Sequence, residues 1–144
     1  MKISYFNSNL KFFLLFFLIF LTFITCKDKN EIIPFVPVNI YIDIIPELSD
    51  LGIGNSVYIT GGVNGIIIFR KSLNEYLAFE RTCTYQPGKN CAVEIDESAI
   101  IPKCPCCFSK FLLSAEGSVI EGPAVMPLKQ YQTSLVGNTL HIYN

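Results

Sequence analysis

The chain has 144 residues, with 11 Lys and Arg, 12 Asp and Glu, and one His, for a formal net charge of −1. This near-neutral balance has no basic patch, which argues against a nucleic-acid partner. His141 stands alone, so no Ser/His/Asp triad can be assembled.

Taken in chain order, the N-terminus sets the expected compartment. Lys2 and Lys11 flank a polar start, and Phe12 to Ile24 is then apolar except for Thr22. That run suits the hydrophobic region of a signal peptide and falls short of the ~20 residues a spanning helix needs. It ends at Phe23-Ile24-Thr25-Cys26, followed by the polar Lys27-Asp28-Lys29-Asn30-Glu31. This junction resembles a bacterial lipobox, with Thr25 where a small residue is usual and Phe23 where Leu is usual. The resemblance implies a signal peptide over 1–25, lipidation of Cys26 and a lipid-anchored tether over 26–37. It places the protein in the bacterial cell envelope, on the periplasmic or surface face. From Cys26 onward nine Lys and Arg stand against twelve Asp and Glu, a net charge of −3.

Residues 38–144 read as one domain of short strands. Val38, Ile40, Ile42 and Ile44 alternate with Asn39, Tyr41 and Asp43, the two-residue period of a half-buried strand. Ser56–Thr60 and Gly65–Arg70 are further strands, with Asn64-Gly65 a hairpin signal between them. Glu75–Glu80, Ala92–Asp96 and Lys110–Leu113 are shorter candidates. Gln130–Leu135 and Thr139–Tyr143 flank Gly137-Asn138 as a terminal hairpin. Glu47–Leu51 is read as one helical turn at most. The pattern predicts an all-β fold, a small antiparallel sandwich or barrel with two cysteine-bearing loops.

Those loops concentrate the chemistry. Cys104, Cys106 and Cys107 fall within four positions, with Cys83 and Cys91 upstream. Thiols at this density serve to bind metal or to cross-link. The first loop reads Arg81-Thr82-Cys83-Thr84-Tyr85; the second reads Cys104-Pro105-Cys106-Cys107-Phe108-Ser109-Lys110-Phe111. Together they resemble the paired loops of the Rieske family, which carry Cys-x-His and Cys-x-x-His and hold a [2Fe–2S] cluster on two thiolates and two imidazoles. The similarity continues through Gly117, Gly122-Pro123-Ala124, Pro127-Leu128 and Tyr131, and it covers residues 38–144.

The resemblance implies that Cys83, Tyr85, Cys104 and Cys107 occupy the cluster-ligand positions. Tyr85 and Cys107 stand where the two histidines belong, and Phe108 replaces a glycine, so a standard Rieske cluster cannot be assembled. His141, in the last strand, is read as a strand residue with a polar tip. The family pattern also makes Cys91 and Cys106 candidates for a disulfide between the loops, and gives Ser109, Gly122 and Pro123 supporting places around the site. Cys83, Cys104 and Cys107 remain as a possible metal set, or Cys83 pairs with one of the others in a second disulfide.

The signal peptide contains no arginine, so the chain is expected to cross its membrane unfolded and without cofactor, into a compartment that favours disulfides. The leading expectation is therefore a protein without a cofactor, not an enzyme, its loops held by disulfides. Its binding or accessory role would be served by the lipid anchor and by a protein partner in the envelope. The rivals are an electron-transfer protein with a thiolate-rich [2Fe–2S] cluster and a structural zinc site of four cysteines. Asp96 and Glu97 are read as solvated loop, since neighbours on an extended chain face opposite ways. The Gly52-Ile53-Gly54 and Gly61-Gly62 elements are read as turns.

Overall fold

The computed structural model describes residues 32–144; the expected signal peptide, Cys26 and the start of the tether lie outside the described residues. Ten strands and one helical turn appear in the order β1 (Asn39–Asp43), α1 (Ile44–Glu47), β2 (Ser56–Ile59), β3 (Ile66–Arg70), β4 (Tyr76–Glu80), β5 (Glu94–Ile95), β6 (Pro102–Lys103), β7 (Lys110–Leu112), β8 (Ser118–Glu121), β9 (Gln130–Val136) and β10 (Thr139–Tyr143). They form two antiparallel sheets. One has six strands in the order β1-β10-β9-β4-β3-β2, and the other four in the order β5-β6-β7-β8. The all-β expectation holds.

Strands β3 and β4 explain how the sheets combine. Their sequences are continuous apolar runs, not alternations, because both faces are covered. Ile66, Ile68, Tyr76 and Ala78 enter one core with Val38, Ile42, Leu140 and Ile142. Ile67, Phe69, Leu77 and Phe79 point the other way, into a second core with Val93, Phe111, Leu113 and Leu128. Full burial of each such side chain contributes ~1.5–3 kcal/mol. The second core also contains Cys83 and Cys104, so the cysteine loops grow directly out of packed structure.

The terminal hairpin forms as its turn residues predict: β9 and β10 pair from Val136↔Thr139 outward, with Gly137 at φ +60. The helical turn begins earlier than expected. It spans Ile44–Glu47, and further main-chain turns carry the chain to Leu51, burying Leu48 and Leu51 in the first core. Strands β6 and β8 lie in stretches not read as strands; β6 has two residues, one of them proline, too short to show a period. Ile33 is 2% exposed, so packing begins several residues before the first alternating strand.

Glu80 closes β4 as a fully buried carboxylate. Its Oε2 accepts from the Val63 N–H (2.7 Å) and the Tyr131 hydroxyl (2.8 Å). Its Oε1 accepts from the N–H groups of Asn64 (2.9 Å) and Thr82 (3.0 Å) and from the Thr82 hydroxyl (2.8 Å). One side chain thereby fastens the β2–β3 loop and β9 to the root of the first cysteine loop. A Cβ on Gly62 would lie 2.2 Å from Oε2, so only glycine permits this approach. In the sequence Glu80 reads merely as a strand end; the signal available was a charge closing an apolar run.

Candidate functional site

The first loop leaves β4 and is closed at its base by main-chain bonds. Val93 N–H donates to Arg81 O at 2.7 Å and Cys83 N–H to Cys91 O at 2.9 Å, while Thr82 and Ala92 form a bridge. A 3-10 turn at Pro87–Lys89 makes its tip. The second loop joins β6 to β7 and is equally tight: Cys104 N–H donates to Ser109 O at 2.8 Å, and Phe108 N–H to Cys104 O at 2.9 Å. Phe108 sits at φ +61, the left-handed region that favours glycine.

The two tips meet. Cys91 and Cys106 are joined in a disulfide across a Cα–Cα distance of 6.3 Å, the pairing that the family pattern suggested. Cys83, Cys104 and Cys107 are free thiols. The second disulfide weighed from the sequence is not formed, although Cys83 Sγ and Cys107 Sγ lie 3.5 Å apart. All three free sulfurs are within 4.8 Å of one another. Cys83 and Cys104 are buried, and Cys107 is partly open to solvent. A cavity of about 290 Å³ lies over them, lined also by Tyr85, Lys89 and Pro123.

A third loop supports this pair. Ser109 Oγ is 3.1 Å from Cys107 Sγ and accepts from the Ala124 N–H at 3.1 Å. Gly122, at φ +98, lies so close that a Cβ there would be 2.5 Å from Ser109 Cα. Ser109 thus touches a thiol, Gly122 makes room for Ser109, and Pro123 lines the cavity.

The thiols differ in character. Burial pushes Cys83 up to about 12; the Tyr85 N–H pulls the other way, and Cys104 and Cys107 add to the rise. Burial also works against a Cys107 thiolate, but the hydroxyl and N–H of Ser109, with the Cys104 and Cys83 thiols, outweigh it and hold Cys107 below the ordinary range.

Tyr85 and Cys107 stand at the site where the family has imidazoles, and the chain's one histidine lies elsewhere. Tyr85 lies at the cavity wall, 43% exposed as a residue. His141 is in β10, stacked between Tyr41 (4.2 Å) and Tyr143 (4.6 Å), its Nε2 bonded to Asn39 Oδ1 at 2.7 Å. Asp96 accepts from the N–H (3.0 Å) and hydroxyl of Ser98, a loop turn and not half of a carboxylate pair.

Two antiparallel sheets with paired cysteine loops at one end define a Rieske-type fold, and known structures agree. The plasma membrane Rieske protein PetC3 of the cyanobacterium Synechocystis PCC 6803 superposes with a TM-score of 0.54 at 20% identity, covering 76% of this chain and 100% of that one. A complex of reduced oxygenase and oxidized ferredoxin in carbazole 1,9a-dioxygenase superposes with a TM-score of 0.51 at 18% identity, covering 72% of this chain and 93% of the other. No family model matches the sequence, and neither does any curated protein. Among the described residues, no helix is long and apolar enough to cross a membrane.

The two-iron centre for which this fold is known takes two thiolates and two imidazoles. The donors gathered here are three thiols and a phenol, with two further sulfurs consumed by the disulfide. That set does not fit a histidine-ligated cluster.

Proposed function

We propose that this chain is an exported, lipid-anchored protein of the bacterial cell envelope that keeps the Rieske-type scaffold without its histidine-ligated cluster. It acts as a binding or accessory module for another envelope protein and is not an enzyme. The observation that carries the reading is the donor set at the loop tips, with Tyr85 and Cys107 in place of imidazoles and a disulfide bracing the loops. The apolar side chains of Phe108, Val125 and Met126 are exposed on the loops that build the site, which suits contact with a partner. Anchoring rests on Cys26 at the junction of the apolar run and the charged segment.

Two measurements on protein from its native membrane test this. Detergent partitioning should carry the parent into the detergent phase and leave Cys26→Ser in the aqueous phase or unprocessed. Iron and acid-labile sulfide should both be absent; a brown protein with two irons per chain would overturn the reading in favour of a thiolate-rich cluster.

A further inference from the structure

Three thiols from two different loops converge on one point, and their spacing discriminates between uses. A tetrahedral ion with metal–sulfur bonds of ~2.3 Å holds its sulfurs ~3.8 Å apart. Here one pair stands at 3.5 Å and all three fall within 4.8 Å. A two-iron cluster instead divides its ligands between two metals. The disulfide joins Cys91 to Cys106, one residue before Cys107, and so holds the loops together without using any of the three.

We propose that Cys83, Cys104 and Cys107 form a mononuclear site for a thiophilic divalent ion of the zinc type. Three thiolates supply the ligands, and the fourth position opens to the cavity beside Tyr85. The proposal rests on the preceding reading, that no histidine-ligated cluster forms, and it gives the retained thiols a ligand. Binding requires no oxidant: the ion displaces the thiol protons to solvent, and each sulfur keeps its electron pair as a donor. The remaining parts of the site suit this use. Ser109 Oγ, 3.1 Å from Cys107 Sγ and itself held by Ala124 N–H, can orient that ligand from the outer shell. Lys89 on the cavity wall places a positive charge against the net negative charge of a three-thiolate site. A fourth position left open to a cavity is the arrangement of a site that takes water or a small ligand, in contrast to a closed structural site.

The test uses the full chain in detergent, stripped with a chelator under anaerobic conditions. Titration with Co²⁺ should saturate at one ion per chain, with sulfur-to-cobalt charge-transfer absorption and the visible bands of tetrahedral cobalt, and one Zn²⁺ should abolish both. Cys107→Ser, at the accessible edge of the site where folding is least at risk, should weaken binding by more than ~100-fold. Ser109→Ala should weaken it by ~10-fold, as outer-shell changes do. In chelated protein Cys83, Cys104 and Cys107 should each titrate as a free thiol, apart from any thiol at Cys26.

Failure to bind cobalt with three thiols present would overturn the proposal and leave the function reading intact. Tetrahedral cobalt spectra unchanged in Cys107→Ser would also overturn it, as would a single titratable thiol among those three, which would mean that Cys83 and Cys107 had paired. Two irons with labile sulfide would overturn both readings together.

Discussion

Glu80 offers the sharpest test of how this domain holds its loops. In Glu80→Gln one oxygen becomes an NH2 group, which needs a place among five donors. Set at the Oε1 position it would meet the N–H groups of both Asn64 and Thr82. At the Oε2 position it meets only the Val63 N–H, because the Tyr131 hydroxyl can turn to accept. The second choice is the cheaper. It loses one charge-assisted bond, worth ~1.5–3 kcal/mol, and leaves the part-buried Val63 N–H unsatisfied at ~1 kcal/mol. The folded state should therefore lose roughly 3 kcal/mol, read as a lower urea midpoint at neutral pH with an unchanged slope.

The pH dependence supplies an independent arm. Burial raises the Glu80 carboxyl, but the N–H groups of Val63 and Asn64 and the Tyr131 and Thr82 hydroxyls outweigh it, so the folded value lies below 4.5. A depressed carboxylate contributes stability that is complete above the unfolded value and is lost as pH falls through the folded one. The parent should weaken in acid below about pH 4.5, and Glu80→Gln should lack that portion of the slope. A variant within 1 kcal/mol of the parent at neutral pH, or one with the same acid slope, would refute the reasoning.

Two further outcomes follow from the site. Replacing both Cys91 and Cys106 by Ser removes a link across 15 residues of sequence and should cost about 3 kcal/mol in urea unfolding. An unchanged midpoint would show that the loops are held by their main-chain bonds alone. Gly122→Ala places a Cβ 2.5 Å from Ser109 Cα at φ +98. It should lower the melting temperature and speed alkylation of Cys107, whereas unchanged alkylation would mean that Ser109 does not depend on that close approach.

Much of the fold was legible locally. The Val38–Ile44 alternation and the Gly137-Asn138 turn identify their strands because period and turn chemistry are written in neighbouring residues. The apolar run of β3 marks a strand but not its two-sided burial, since a second sheet must arrive to cover it. Strands β6 and β8 carry no such signature because they are defined by their partners, not by their own pattern.

The site divides in the same way. Sequence alone established which donors the chain owns: six cysteines, one histidine remote from the loops, and tyrosine and cysteine where imidazoles would stand. It also narrowed the disulfide to Cys91 and Cys106 through the loop resemblance. Only the tertiary structure decided that Cys83, Cys104 and Cys107 remain free and meet at one point, and that Glu80 locks the base of the first loop. The physical reason is that residue identity sets what chemistry is possible, whereas convergence depends on distances between segments far apart in the chain. Those distances are fixed by sheets packing around shared cores, which no local pattern encodes.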